Sequence, residues 1–538
     1  MIRKIACIGG GPGGLFFALL AKRADPAREV TVYERNRATD TFGFGVVFSD
    51  ATLARIDEAD PVLRTALDEH GVHWDPIEIR LKGERVLCGG MGMAAVERKT
   101  LLGLLQDRAL AVGVDIRFQT EVDPADLLTS DVDLVVAADG ANSRVRARFA
   151  DRLSPSVEVA TAKFIWFGTT YPFTGLTFVH ERGPHGVFAV HGYPIGNGIS
   201  TFIVETDEES WRAAGLDAFD VNQPPGPSDE ESRCYLEKLF AEQIDGCALL
   251  TNNSRWGNFR TWRTRVWSHD RMALLGDAAH TAHFSVGSGT KMAMEDAAAL
   301  AAALDGHRDD VPALLSAYEQ DRQPQVAKIQ DSARPSLSWW EHFGRYHDSF
   351  EPWQFAYHFL TRSLTGAQLA RRDPAFVHAS HDCWRAAHQA SPLQTPISIG
   401  AATHGRRTVT VHRSGANAWA AMDCGPLALH QSRPDRAGAW ALWLEAPHTE
   451  ADLPPALDRL GRGVADGAAL VAVGGGASLT RRLLTEQTRL RHAAISVLIA
   501  DHLDASDEGA LVDWAQTMVL SGRTDMVGLA EPSAGTGQ

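Results

Sequence analysis

An apolar run over positions 4–8 ends abruptly at Gly9-Gly10-Gly11-Pro12-Gly13-Gly14. Gly9, Gly11 and Gly14 supply the spacing G-x-G-x-x-G, and residues 15–22 continue as a helix. A second apolar run, 30–33, ends in Glu34-Arg35, with Glu34 twenty residues after Gly14. Strand, glycine turn, helix, strand and acid in that order predict a βαβ unit built to hold a dinucleotide. Glycine has no Cβ, so the backbone can come close to a pyrophosphate. The free N–H groups and positive end of the following helix then face that anion. Glu34 can accept hydrogen bonds from ribose hydroxyls. The expected cofactor contacts here are Gly9, Gly11, Gly14, Glu34 and Arg35. A glycine motif alone would be weak; its place between strand and helix gives it force.

Two later strand ends repeat the pairing of acid and glycine. The apolar run 133–138 ends in Asp139-Gly140, with Arg144 and Arg146 just beyond. It could hold a second nucleotide or the pyrophosphate of the first; the plain alternative is a tight turn into a helix. Met272-Ala273-Leu274-Leu275 runs into Gly276-Asp277, and a helix begins near Gly287-Ser288-Gly289-Thr290. Met292, Ala293, Ala297 and Leu300 then give that helix one apolar face. Asp277 is placed to hold sugar or ribitol hydroxyls, and Gly287, Ser288, Gly289 and Thr290 to offer amides to a ligand. The alternative is an ordinary strand–turn–helix with a capping aspartate. Arg98 opens another helix, an unfavourable place for a cation unless an anion faces it; a solvated arginine is the equal alternative. Phe42-Gly43-Phe44-Gly45 reads as a turn beside the cofactor or as a plain glycine-rich loop.

The 538 residues suffice for several structural units, and a net charge of −15 disfavours nucleic acid and anionic lipid as partners. Six scattered cysteines show no ligand or disulfide spacing and fit a reducing cytoplasmic compartment. No metal site is expected. Arg3-Lys4 and the apolar run after it resemble a signal peptide only until the glycines interrupt it, and no segment is apolar for long enough to span a membrane.

The expected fold is α/β. A Rossmann-like dinucleotide-binding domain (1–154, with a short β excursion near 76–97, and 269–335) carries an inserted β-sheet substrate domain (155–268). A helical linker (336–395) and a small α/β C-terminal domain (396–538) follow. The inserted part contains β-like runs at 163–170, 186–193 and 199–205 and many aromatic residues, as suits a sheet over a flat ring. Gly474-Gly475-Gly476 follows a strand without a matched acid and reads as a turn; residues 533–538 read as a disordered tail.

With these three motifs in order, residues 1–335 resemble the single-component FAD-dependent aromatic hydroxylases, the p-hydroxybenzoate hydroxylase family. The resemblance implies that Glu34 binds the adenosine ribose and that Arg98 and Asp139 lie by the pyrophosphate. It implies that Asp277 binds the ribitol and that the Gly287–Gly289 turn sets a helix end beside the flavin ring. One departure stands out: the family usually has Pro-Pro after the histidine, where this chain has His283-Phe284, and Asn where it has Lys291. That pattern, with FGFGVVFSDATL at 42–53 and FLTRSLTGAQLARRDPAFV at 359–377, resembles the branch acting on aromatic CoA thioesters. Members of that branch often end in a flavin-oxidoreductase barrel. The region after 396 is too short for an eightfold barrel of about 250 residues and is expected to be a shrunken, non-catalytic remnant.

The resemblance implies that NADH or NADPH reduces FAD and that one atom of O₂ passes to an electron-rich ring. Salicylyl-CoA, hydroxylated at position 5, is the expected substrate. 2-Aminobenzoyl-CoA, a free aromatic acid, or flavin-dependent reduction without oxygen insertion are the alternatives, together with a non-catalytic flavoprotein. Candidate bases for the phenol are His283, His191 and Tyr193, each with a structural role as its alternative. Arg362, Arg371 and Arg372 are the basic candidates for the CoA phosphates. The reading admits a homodimer.

Overall fold

The structure is a computed structural model describing residues 1–41, 43–221, 226–287, 289–400, 402–413, 419–421, 428–435, 439–501 and 504–530. Phe42, Ser288 and the expected tail at 533–538 lie outside the described residues. The chain divides into two units, Met1–Gly344 and Arg345–Gln538.

The first unit is built on a six-stranded sheet. Its order is Ser268–His269, Met272–Leu274, Leu134–Ala137, Lys4–Ile8, Glu29–Tyr33 and Asp115–Arg117. All neighbours are parallel except the first pair. Parallel strands are covered on both faces and so read as unbroken apolar runs, which is why LVVA and MAL are wholly buried. Cys7 pairs with Val32 on one side and Val136 on the other, and Val136 in turn pairs with Ala273. This register sets the carboxyl ends of four strands side by side. The turns at Gly9, Glu34, Asp139 and Gly276 therefore share one edge, as ligand sites of doubly wound sheets do. Helices Pro12–Ala24 and Gly289–Gly306 start from that edge.

A second, largely antiparallel sheet runs Leu249–Leu250, Pro155–Thr169, Ile199–Thr206, Gly186–Gly196, Thr177–Gly183, Ile77–Leu81, Glu84–Cys88, with Gly257–Thr264 also on Pro155–Thr169. The excursion near 76–97 is divided. Its first two strands join this sheet through parallel pairing with Thr177–Gly183. Its third, Met93–Glu97, pairs with Gly45–Ser49 and Val72–Trp74. Side chains alternate across a strand, so the large sheet has two distinct faces. Phe167, Phe188, Val190, Phe202 and Val204 lie in one apolar core. Trp166, Tyr193, Ile195 and Ile203 belong to a separate cluster on the other face.

In the second unit, strands Thr408–Arg413, Trp419–Ala421, Ala428–His430, Ala441–Glu445, Leu470–Gly474, Ile495–Ala500 and Met526–Ala530 close into a barrel. The last four are successive parallel strands joined by helices Leu453–Ala465, Ser478–Leu490 and Glu508–Leu520, and the final strand closes on the first. Alternation again sorts the residues. Ala441, Trp443, Val497, Ile499 and Met526 form one core, and Leu442, Leu444, Val471 and Val473 form another that includes Leu460 of the first helix. Among the described residues this barrel has seven strands, fewer than the eight of a complete (β/α)₈ barrel of about 250 residues. Among the described residues, no helix is long and apolar enough to cross a membrane.

Candidate functional site

The glycines of the first motif have different tasks. A Cβ on Gly9, at φ +108°, would lie 2.3 Å from the Ala138 carbonyl oxygen, and one on Gly14 would lie 2.2 Å from that of Gly9. Those two let three backbone segments cross. A Cβ on Gly11 would meet nothing within 4 Å, so Gly11 borders open space. Gly11 also caps helix Pro12–Ala24 without a side-chain hydrogen bond, and the first turn holds no acid. The free amides and positive end of this helix are thus available to an anion. Glu34 accepts from the Gly10 amide at 2.8 Å and from the Asn36 amide and side chain at 2.8 Å. Arg35 is exposed next to it.

Three half-buried polar side chains lie nearby, and one of them has a buried oxygen with no hydrogen-bond partner among the described residues. Asp139 Oδ2 accepts from the Arg144 and Val145 amides at 2.8 and 3.2 Å, capping a short helix, while Oδ1 is buried without a partner. The Arg98 guanidinium is held below its ordinary pKa by burial, partly offset by the charge of Asp277. Its backbone amide donates to the Phe44 carbonyl, which fixes the helix start to the Gly43–Gly45 turn. Burial pushes the Asp277 carboxyl up, with His280 and Arg98 opposing. Leaving a buried oxygen such as Asp139 Oδ1 without a hydrogen bond costs about 1–3 kcal/mol, so this atom, with the Arg98 cation and the Asp277 carboxyl close by, points to a polar ligand. Their chemistry fits FAD, whose pyrophosphate is an anion and whose ribose and ribitol carry hydroxyls. Gly287 adopts φ +60° and, like Gly289, has open space at its Cβ position. Helix Gly289–Gly306 begins there, with Thr290 half-buried in its first turn.

Other residues prove structural. Arg146, a candidate for holding phosphate, donates to the backbone oxygens of Asp277, Ala278 and Ala141 and stacks 3.8 Å from the Trp262 ring. It ties the second motif to the third. Arg144 pairs with Glu121 at the surface. Asp296, not anticipated, accepts from the Gly276 amide at 3.1 Å, His280 Nε2 at 2.6 Å and Arg322 Nε at 2.8 Å. Burial alone would raise its carboxyl, but His280 and Arg322 hold it below the usual range. Its signal was a charge in register with Met292 and Leu300 on an apolar helix face.

The three candidate bases share the second sheet's aromatic face. Tyr193 is 6% exposed, lies 3.4 Å from the Gly45 carbonyl through its hydroxyl and stacks on Trp74. Burial pushes its phenol up to about 12 despite Thr201 and Arg98, so it stays neutral. His191 and His283 converge on Glu205, which sequence reasoning missed. Glu205 Oε2 lies 2.6 Å from His191 Nε2, and Oε1 lies 3.3 Å from His283 Nε2. Phe284 brings its ring against Phe164, Trp166, His191 and Phe259. The departed loop therefore enters the aromatic cluster itself. Lys291 reaches toward Glu295 at 4.0 Å.

Of the arginines considered for CoA, Arg371 and Arg372 are exposed. Arg362 turns back on its own segment, donating to the Phe359 carbonyl at 2.7 Å with its guanidinium over the Phe359 ring. Burial holds it down to about 9.

Residues 3–333 match the protein family described as FAD binding domain. Over 529 residues the chain is 57% identical to salicyloyl-CoA 5-hydroxylase of a Streptomyces species, covering 98% of this chain and 99% of that protein. It is 36% identical over 337 residues to 3-hydroxy-4-methyl-anthranilyl-(aryl-carrier protein) 5-monooxygenase of Streptosporangium sibiricum, over 62% of this chain and 88% of the relative. Among solved structures, p-nitrophenol 4-monooxygenase of Pseudomonas putida has a TM-score of 0.52 at 19% identity, over 70% of this chain and 94% of that one. That likeness is one of fold.

Proposed function

This chain belongs to the flavoprotein hydroxylases that carry this FAD binding domain, and on that premise we propose that it hydroxylates salicylyl-CoA at position 5, using NADH or NADPH and O₂. The observation that carries this reading is the 57% identity to a salicyloyl-CoA 5-hydroxylase, which extends over 529 residues and so through both units. The alignment to the carrier-protein enzyme takes in only 62% of the chain.

In this reading Gly11 and the start of helix Pro12–Ala24 hold the FAD pyrophosphate, with Gly9 and Gly14 shaping the turn. Glu34 holds the adenosine ribose, with Arg35 at its edge. Arg98 and Asp139 meet the pyrophosphate side, and Asp277 accepts from the ribitol. Gly287, Ser288, Gly289 and Thr290 border the flavin ring. Bound FAD supplies electron transfer from NAD(P)H to O₂ and of one oxygen atom to the substrate. The protein's own part is to position the ring and exclude water. Phe164, Trp166, Phe259 and Phe284 form the apolar wall for an aryl group. His191 or His283 is the base for the ring hydroxyl, since Tyr193 is held neutral at physiological pH. Ionising the hydroxyl makes its para carbon, position 5, more electron-rich. The C-terminal barrel binds no flavin of its own, in keeping with the packing of Trp443, Val497, Ile499 and Met526 in one core.

The test follows NAD(P)H oxidation with salicylyl-CoA, free salicylate and 2-aminobenzoyl-CoA and identifies each product by mass. Salicylyl-CoA should give a product heavier by one oxygen, with one FAD per chain. Preference for the amine or the free acid would reassign the substrate, and NAD(P)H consumption with no hydroxylated product would favour the reductase. A second flavin per chain would overturn the reading of the barrel.

A further inference from the structure

Glu205 and His283 lie on separate elements, and their side chains are 1% and 2% exposed. Glu205 belongs to strand Ile199–Thr206, which is paired on both sides; it opposes Phe164 on one neighbour and Ala189 on the other. Its Oε2 lies 2.6 Å from His191 Nε2 and its Oε1 lies 3.3 Å from His283 Nε2. A carboxylate so deeply buried is costly unless paired and hydrogen-bonded. Burial alone would raise it, but His283 and His191 together hold it below the usual range, so it is ionised.

His283 opens the departed loop and has a second task there. It caps the short turn Phe284–Val286, with Nδ1 accepting from the Ser285 amide at 3.4 Å and lying 2.7 Å from the Ser285 hydroxyl. An amide can only donate, so Nδ1 carries the lone pair and the ring proton sits on Nε2, toward Glu205. The imidazole thus joins sheet to turn, with one nitrogen on each. The turn is closed by the Gly287 amide, which donates to the Phe284 carbonyl at 2.8 Å, and Ser285 lies 2.8 Å from the Ser336 hydroxyl. The chain leaves it at Gly287, φ +60°, and helix Gly289–Gly306 follows. Phe284 also packs on Phe164, Trp166 and Phe259. Apolar contacts of that kind tolerate sliding, whereas a bond to a charged oxygen is directional.

Resting on the FAD placement proposed above, we infer that Glu205 is a positioning residue for the flavin, acting through His283 to fix the turn that leads into helix Gly289–Gly306. That helix start carries partial positive charge. Its distance from the ring decides how strongly it favours the reduced state, which gains negative charge. Dipoles act at full strength only when they are held in place beforehand. The tether does this before any cofactor arrives, because every part of it is a protein side chain.

Glu205→Asp is the discriminating change, since it keeps the charge and shortens the reach by one methylene. In the apoprotein, hydrogen exchange of the amides in 284–287, followed by mass spectrometry, should become about tenfold faster. Exchange in strand Leu134–Ala137 should stay as in wild type. In the FAD-loaded protein without substrate, the flavin midpoint potential should fall by about 30 mV, which is tenfold for a two-electron couple. Equal exchange in wild type and variant, or a rise in both segments alike, overturns the tether. Faster exchange with an unchanged potential overturns the role of Glu205 toward the flavin. Should Glu205→Asp fail to fold, His283→Asn takes its place in both measurements, because asparagine still caps the turn and is too short to reach Glu205. A wild type that takes up no FAD would sink the placement and the role with it, and the exchange measurement would still decide the tether.

Discussion

Gly9 runs so close to Ala138 that a Cβ on the glycine would lie 2.3 Å from the alanine's carbonyl oxygen. The first motif is thus locked against the strand end of the second. Gly9→Ala adds this clash to a strained φ and should cost at least about 2 kcal/mol of apoprotein stability. Gly11→Ala, with open space at its Cβ, should leave apoprotein stability within about 0.5 kcal/mol and weaken FAD binding. Urea unfolding of both apoproteins and FAD titration by fluorescence quenching separate the two effects. Equal stability losses would contradict the division of labour.

Asp277, half-buried, and Asp296, fully buried, are aspartates with opposite prospects. Asp296 is hydrogen-bonded to Gly276, His280 and Arg322, so Asp296→Asn should destabilise by about 3–5 kcal/mol. The Asp277 carboxyl is pushed up by burial. A raised carboxyl contributes stability below its unfolded pKa and loses it as pH rises through the folded value. Asp277→Asn should therefore leave the apoprotein as stable or more stable at neutral pH, while FAD affinity falls about tenfold or more. A destabilised Asp277→Asn apoprotein would show the carboxylate to be structural.

In the second unit, burial and the Arg523 charge hold His358 down to about 4, from an ordinary 6.5. The unfolded chain then binds the extra proton first, so stability is full above about 6.5 and falls as pH drops toward 4. Glu486 faces His358 at 3.3 Å. Burial alone would raise Glu486, but His358 and Arg523 carry it well below its usual range, which extends the acid loss. Denaturant midpoints across this window should decline in the wild type and flatten in His358→Gln. A wild-type profile flat from neutrality to pH 4 would refute the assignment.

Phe284 touches Phe164, Trp166 and Phe259. Phe284→Ala removes much of that apolar wall and admits water. The expected result is NAD(P)H oxidation largely uncoupled from hydroxylation, measured as peroxide formed per NAD(P)H consumed. Unchanged coupling would place the aryl group elsewhere.

The cofactor edge was legible because its information is local. A strand, a glycine at a fixed offset and an acid at the next strand end lie within a few dozen residues of one another, and parallel pairing adds only a standard register. Asp296 was half-legible, as a charge on an apolar helix face whose partner Arg322 lies on the next helix. Arg146 looked like a ligand for phosphate because nothing in the chain tells that its donors are claimed by the backbone of residues 277 and 278.

What the chain by itself determined is the alternation of strand and helix, the three motif positions and the aromatic character of the inserted sheet, all set by side-chain period and backbone freedom. Only the tertiary structure decided that Glu205 stands between His191 and His283. That meeting depends on an antiparallel register in which Ile203 opposes His191, and on a loop returning from the first sheet. Register and loop path are fixed by burial summed over whole faces, a quantity no short stretch of residues contains. The barrel closed for the same reason, since pairing of its last strand with its first is a contact between segments more than a hundred residues apart.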